Sequence, residues 1–238
     1  MSPQLVRKAF AELLGTALLV AAVVGSGIAA QRLSPNDTGL ELLENALATG
    51  AALVAVILAV GPVSGAHLNP VVSAVDAAFG GLRRTELPVY VASQIAGAIG
   101  GAVVANAMFG SSAISVATHS RSGANLWLSE VVATFGLLLV VFGVVRARRS
   151  NVVPFAVGAY ITAAYFFTSS TSFANPAVTV ARMFSDSFSG IAPASVAPFV
   201  AAQAVGGALA YAAVRTLWPH EAKEAAAVVV VPHDVEVA

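Results

Sequence analysis

Residues 64–71 read Ser-Gly-Ala-His-Leu-Asn-Pro-Val, and the Asn-Pro pair recurs at residues 175–177 as Asn-Pro-Ala. Each pair opens a short apolar stretch, residues 69–79 and 175–184, and about ten residues cannot cross a bilayer alone. Asn is a favourable N-cap, and Pro suits the first turn of a helix because its missing N–H would have no partner there. Both stretches are therefore predicted to be half-helices that begin at an Asn.

The composition is that of a membrane protein. Of the 238 residues, 58% are hydrophobic and 10% are charged, against about 25% charged in a soluble domain. Twelve basic side chains balance twelve acidic ones, so nucleic acid is not an expected partner. The chain has no cysteine, and no metal-spaced cluster or nucleophile motif points to an enzyme, a metal site or a cofactor.

Six longer apolar runs are predicted to be membrane-spanning helices, because about 20 apolar helical residues cross the hydrocarbon core of a bilayer. The runs cover residues 9–30, 46–63, 88–109, 126–145, 152–168 and 195–218. Glu12 lies within the first run and argues against a cleaved signal peptide there. Residues 219–238 are expected to form a disordered cytoplasmic tail.

Nine of the twelve Lys and Arg residues lie on one side of this six-span threading. They are Arg7, Lys8, Arg83, Arg84, Arg146, Arg148, Arg149, Arg215 and Lys223. The positive-inside rule then predicts a multi-pass protein of an inner or plasma membrane with both termini in the cytoplasm.

The two halves of the chain repeat three landmarks in the same order. Glu12 and Glu130 open similar pentapeptides, the Asn-Pro pairs follow, and Gln94 and Gln203 each begin a Gln-x-x-Gly element. Each half, about 9–109 and 126–218, holds three spans, and this odd number inverts the second half relative to the first. Residues 1–218 are therefore predicted to be one channel domain. Small residues suited to close helix packing accompany the Gln elements: Gly97, Gly100, Gly101, Gly206 and Gly207.

In this arrangement the two half-helices meet at the middle of the membrane. Their positive dipole ends repel cations, while the Asn amides donate hydrogen bonds to an uncharged solute. The predicted midplane residues are Asn69, Pro70, Val71, Asn175, Pro176 and Ala177.

The doubled motif, the paired glutamates and the paired Gln elements resemble those of the aquaporin, or major intrinsic protein, family. The resemblance implies an all-α membrane fold, a right-handed bundle of six spans and two half-helices, with one pore per protomer and a homotetramer in the bilayer. It also implies that Glu12 and Glu130 hold backbone N–H groups of the loops that lead to the half-helices, and that His67 joins this support. Val71 stands where the family usually has Ala.

The chain departs most from the family at the selectivity filter. Relatives place an Arg three residues after the second Asn and an aromatic ring on the second span, and this chain has Val178 and Thr49 there. Ser172 is the remaining loop position of the filter. Loss of the Arg and the ring is expected to widen the constriction or to make it less polar.

Three positions stay open at this stage. For the filter residue of the fifth span, counting forward from Gly158 gives Tyr165 and counting back from Asn175 gives Ala163. Tyr165 is preferred, because a loop accommodates a change of length better than a helix. Arg182, seven residues after Asn175, either reaches back into the pore or points into the outer headgroups. Asp76 holds the matching place in the first half, where it either lines the cytoplasmic mouth or bonds neighbouring loops.

The expected function is a passive channel for small uncharged solutes without a cofactor. The filter change resembles a bacterial aquaglyceroporin-like branch associated with arsenic resistance, which suggests arsenous or methylarsonous acid as solutes beside glycerol and water. The alternatives are a water-selective aquaporin narrowed by Arg182 or Tyr165, a structural or junctional membrane protein, and a coupled secondary transporter.

Overall fold

The computed structural model describes residues 1–219, and this part of the chain folds into eight α-helices. They are α1 Pro3–Leu33, α2 Thr38–Ser64, α3 Pro70–Phe79, α4 Leu87–Met108, α5 Ala124–Arg146, α6 Val153–Phe167, α7 Pro176–Arg182 and α8 Pro193–Leu217, with a 3-10 turn at Ser150–Val152 before α6. Six of these helices are long and apolar enough to cross a membrane, and α3 and α7 are the two half-helices. The predicted fold is thereby confirmed, while the predicted tail lies, apart from Pro219, outside the described residues.

The first two helices are longer than the apolar runs that predicted them. The Ser2 hydroxyl accepts the N–H of Leu5 at the start of α1, and the Asp37 carboxylate accepts the N–H of Leu40 at the start of α2. The first turns of α2 contain several polar residues, so a search for apolar runs does not include them. One of their residues, Asn45, is buried and donates to the Val23 carbonyl of α1 at 2.9 Å.

Helix contacts follow the same pattern in each half of the chain. Helix α1 packs against α2 and α4, and α5 packs against α6 and α8. The half-helices join the halves, because α3 contacts α8, α7 contacts α4, and α3 and α7 touch each other. The centre of the molecule is therefore built from segments of both repeats.

Glycines allow the closest of these helix approaches. A Cβ at Gly97 or Gly101 of α4 would overlap backbone carbonyls of α1, and one at Gly206 of α8 would overlap a carbonyl of α5. Gly207 faces a methyl group of Val71, which brings α3 close to α8. Gly100 differs from the packing expectation, because a Cβ there would meet nothing within 4 Å in the protomer.

Candidate pore and selectivity filter

Asn69 and Asn175 are the N-caps of the two half-helices and also join the two halves of the chain. The Oδ1 atom of each accepts the N–H of the second residue of its own half-helix at 3.0 Å. The Nδ2 atom of Asn69 donates to the Ala174 carbonyl, and that of Asn175 donates to the Leu68 carbonyl, both at 2.8 Å. An amide nitrogen carries two N–H groups, and one of them is used in each of these bonds. Both residues line a central cavity.

The loops that lead to the half-helices have the same unusual backbone. Residues 65, 66 and 68 and residues 171, 172 and 174 all have positive φ, and five of these six residues are not glycine. Left-handed backbone costs about 1 kcal/mol or more for such a residue, so the surrounding structure must stabilise it. The matched pattern aligns the two loops as inverted copies.

Two buried carboxylates supply that stabilisation. Glu12 accepts four hydrogen bonds of 2.7–2.9 Å, from the Ser64 hydroxyl, the backbone N–H groups of His67 and Leu68, and the Gln94 amide. Glu130 repeats the arrangement at 2.6–2.9 Å with the Ser170 hydroxyl, the backbone N–H groups of Phe173 and Ala174, and the Gln203 amide. Both carboxylates are fully buried and lie where the predicted support of the half-helices requires them.

The two glutamines have a role that sequence reasoning missed. Gln94 of α4 also donates to the Ser73 hydroxyl of α3 at 2.9 Å, and Gln203 of α8 donates to the Thr179 hydroxyl of α7 at 2.8 Å. Each Gln therefore connects a carboxylate to a half-helix. The recurrence of the Gln-x-x-Gly element in both halves could have indicated this role, but the sequence analysis used the element only to recognise the repeat.

His67 and Asp76 lie on the α3 side of the cavity. His67 is among the residues that line the cavity, but its side chain is fully buried. Its Nδ1 atom is 3.0 Å from the Ser73 hydroxyl, and its Nε2 atom is 3.6 Å from a carboxylate oxygen of Asp76. Asp76 is buried but is not part of the cavity wall, and its carboxylate packs against Gly81. Asp76 therefore contacts His67 and Gly81 of the adjoining loops and does not line the cavity.

All five predicted filter residues line the cavity: Thr49, Tyr165, Ser172, Val178 and Arg182. The Thr49 and Tyr165 hydroxyl oxygens are 3.1 Å apart and share a hydrogen bond. Ala163 is exposed on the opposite side of α6. The two residues lie on opposite faces of α6, and Tyr165, not Ala163, faces the cavity.

Arg182 is 1% exposed and lies inside the protein. Its guanidinium carbon is 3.4 Å from the centroid of the Phe173 ring, and its Nε atom donates to the Ser189 carbonyl. Phe173 also lines the cavity and, like His67, stands two residues before an Asn. Arg182 therefore does not extend into the lipid headgroups. We call the end of the cavity beside Arg182 the outer end and the end beside His67 the inner end.

The rest of the cavity wall is apolar. The cavity encloses about 60 Å³, enough for a short file of water molecules. Its aliphatic lining comes from both halves: Leu19, Val23, Leu53, Ile57, Val72, Leu137, Val141, Val157 and Ile161. Within residues 1–219 there is no group of three or more acidic or histidine side chains that could hold a metal ion.

Two half-helices whose Asn caps each donate to the opposite loop, beside an apolar-walled cavity and within a bundle of six spanning helices, define a multi-pass membrane channel. The family described as "Major intrinsic protein" matches residues 1–172. The chain belongs to this family, whose members are channels and not enzymes.

Individual relatives agree with this assignment. "Aquaglyceroporin AqpS" of Rhizobium meliloti (strain 1021) is 50% identical over 213 residues, which cover 90% of this chain and 91% of that protein. "Probable aquaporin NIP7-1" of Arabidopsis thaliana is 36% identical over 129 residues, 54% of this chain and 46% of that protein. The chain therefore spans about half the length of this plant relative.

A solved structure has the same fold. The X-ray structure of the aquaglyceroporin from Plasmodium falciparum matches 93% of this chain and 98% of its own with a TM-score of 0.67 at 22% identity. At this identity the likeness concerns the fold alone.

Proposed function

We propose that this protein is a passive channel for small uncharged solutes, with water and glycerol among them. The observation that carries the proposal is the cavity itself, which Asn69, Asn175 and Arg182, three residues with hydrogen-bond donors, line between apolar walls. Donors and positive half-helix ends favour a neutral oxygen and repel cations. The name of the aquaglyceroporin relative supports glycerol as a solute.

The proposed selectivity filter consists of Thr49, Tyr165, Ser172, Val178 and Arg182. Arg182 takes the part that the Arg three residues after the second Asn has in other family members, although it stands four residues later in the chain. Its support is its burial and its stacking on Phe173. Val178 and Thr49 are smaller than the Arg and the aromatic ring they replace, which favours solutes larger than water.

Metalloid hydroxides are the finer part of this proposal. Arsenous and methylarsonous acids are neutral at physiological pH and resemble a polyol in size and hydrogen bonding. A cavity with a few donors and a small apolar side chain at residue 178 suits such a solute.

A water-selective channel is the second candidate, and one observation favours it. Tyr165 and Arg182 both lie in the narrow cavity, and the Tyr165 hydroxyl is bonded to Thr49. If these side chains keep their positions during transport, they exclude solutes wider than water.

Stopped-flow light scattering on proteoliposomes distinguishes the candidates. Osmotic water flux is compared with glycerol uptake and, by direct arsenic assay, with arsenous and methylarsonous acid uptake. Solute flux well above that of empty liposomes, and reduced by Val178→Arg, supports the wider filter. Fast water flux without solute entry supports the water-selective candidate, and no flux of any solute contradicts both.

The role of Arg182 is tested with Arg182→Met in the same assay. We expect a ratio of glycerol to water permeability about fivefold higher and an increased sodium leak, because the variant removes bulk and positive charge from the filter. Arg32→Met is the matched control. Arg32 lies at the end of α1, donates to the Phe109 carbonyl at 2.8 Å and faces the Phe109 ring at 5.3 Å, but it is exposed and does not line the cavity. Equal behaviour of the two variants would contradict a filter role for Arg182.

The same proposal includes the setting of the channel. Residues 1–218 act as one channel domain of an inner or plasma membrane, with both termini in the cytoplasm and four copies forming a homotetramer. The one-sided distribution of Lys and Arg supports the orientation, and the family supports the tetramer. Native mass spectrometry from detergent measures the number of copies directly.

A further inference from the structure

The connection between α4 and α5, residues 109–123, lies at the outer end of the cavity, beside the segment that follows Arg182. Its backbone bonds to the segment between α7 and α8, residues 183–192. The N–H of Ser115 donates to the Phe184 carbonyl at 3.0 Å, and the N–H of Ala192 donates to the His119 carbonyl at 2.8 Å. The 183–192 segment follows Arg182 directly, so the connection is placed to influence the outer end of the cavity.

Arg121 is a buried cation of this connection, with 7% of its surface exposed. Its Nε atom donates to the Gly190 carbonyl at 2.8 Å, and its Nη2 atom donates to the Phe188 carbonyl at 3.0 Å. Arg121 does not line the cavity. Two of the N–H donors of its guanidinium thus bind the backbone of one tight turn.

The residue between these two carbonyls is the one that binds Arg182. The Ser189 carbonyl accepts the Nε–H of Arg182, so the two arginines bind three consecutive carbonyls of the same turn. They also share an aromatic ring, because the guanidinium carbons of Arg121 and Arg182 lie 5.1 Å and 3.4 Å from the centroid of Phe173. The position of Arg182 is therefore coupled to Arg121 through a turn and through a ring.

Burial of the Arg121 charge costs free energy, and the connection does not need this residue to stay attached to the turn. Burial lowers the pKa of Arg121 to about 10, so the guanidinium stays charged at neutral pH and lies near a second buried guanidinium. The connection already has backbone bonds to the turn, and the N–H and hydroxyl of Thr118 both donate to the Asp186 carboxylate. A guanidinium adds two donors in a rigid fork, which can fix two carbonyls relative to each other.

We propose that Arg121 is a positioning residue of the selectivity filter. By binding the Phe188 and Gly190 carbonyls, it fixes the Ser189 carbonyl and thereby the guanidinium of Arg182 at the outer end of the cavity. This inference rests on the proposed function, in which Arg182 is the cation of the filter.

The test measures the ratio of glycerol to water permeability and the sodium leak of proteoliposomes. The variants are Arg121→Gln, Arg121→Lys, Arg182→Met and the double variant Arg121→Gln/Arg182→Met. Thr118→Val is the matched control, because it removes another side-chain contact between the same two segments without touching the turn at 188–190. Monodispersity on size exclusion and thermal unfolding show which variants fold, and Arg121→Lys, which keeps the charge, serves if Arg121→Gln does not.

We expect Arg121→Gln to shift the permeability ratio in the same direction as Arg182→Met by about fivefold, a coupling typical of residues in one network. Arg121→Lys should shift it too, because one ammonium group cannot reproduce the fork. The double variant should match Arg182→Met alone, and Thr118→Val should match the wild type.

Three results would overturn the inference, and they separate its failure from that of the proposed function. If Arg182→Met shifts the ratio but the Arg121 variants do not, or if they lower water and glycerol flux equally, Arg121 is only structural and the filter proposal stands. If the effects of the two substitutions add in the double variant, Arg121 acts independently of Arg182. If Arg182→Met leaves the ratio and the sodium leak unchanged, the filter role of Arg182 fails and the inference fails with it.

Discussion

At the scale of single residues, the loops that lead to the half-helices depend on two buried carboxylates whose oxygens all have hydrogen-bond partners. Glu12 and Glu130 each accept two hydrogen bonds at one carboxylate oxygen and two at the other. A buried carboxylate is costly in a membrane unless its oxygens are satisfied. Here the same four bonds that satisfy the carboxylate also hold a loop in left-handed backbone.

Glu12→Gln and Glu130→Gln should therefore destabilise the protein although they keep the side-chain shape. The new NH2 group would face two donors in each case, and we expect a loss of about 2–4 kcal/mol in unfolding free energy per substitution. Thermal unfolding in detergent measures the loss. Glu44→Gln is the control, because Glu44 accepts one bond, from the Ser34 hydroxyl, and a Gln carbonyl can still accept it. If Glu12→Gln and Glu130→Gln were both as stable as the wild type, the two carboxylates would not stabilise the half-helix loops.

At the scale of elements, the position of each half-helix depends on close contacts that glycine permits. Gly97 places α4 directly on the Leu13 carbonyl of α1, and Gly207 brings α8 against α3. Helices in lipid lack a hydrophobic driving force for association, so close van der Waals packing of this kind stabilises the bundle.

Gly97→Ala and Gly100→Ala should consequently have different effects on stability. The added methyl group at residue 97 overlaps the α1 backbone, and we expect a loss of about 1–3 kcal/mol. The same change at residue 100 meets no atom within 4 Å in the protomer, so the higher helix propensity of Ala leaves stability unchanged or raises it by up to about 1 kcal/mol. Thermal unfolding of both variants in one detergent checks the difference, and equal losses would show that packing of α4 on α1 is not the cause.

At the scale of the whole molecule, orientation in the membrane can be tested without first removing native cysteines. The chain contains no cysteine, so a single introduced thiol is unique. Arg84 and Ser112 are both exposed and lie in connections on opposite sides of α4. A membrane-impermeant maleimide applied to intact cells should label Ser112→Cys, whereas Arg84→Cys should react only after lysis, because the positive-inside rule places Arg84 in the cytoplasm. The reverse pattern would invert the proposed topology.

Sequence alone determined the features that depend on local composition and on internal repetition. The six spans, the two half-helices and their Asn caps follow from the length of apolar runs and from helix-start chemistry, and the structure has them all. The repeat also paired Glu12 with Glu130, although their role as partners of the half-helix loops came from the resemblance to the family and not from the repeat. These features need only neighbouring residues or a comparison of the chain with itself.

Only the tertiary structure decided which side chains meet. Counting along the sequence left Tyr165 and Ala163 as candidates for the fifth-span filter position, and in the structure Tyr165 lines the cavity whereas Ala163 is exposed. Arg182 is a buried residue of the cavity wall that binds Phe173 and the Ser189 carbonyl, and Arg121 reaches the same turn from a connection about 60 residues earlier in the chain. Apolar periodicity reports the environment of a single segment, whereas these contacts join segments that approach only when the two halves of the bundle pack together.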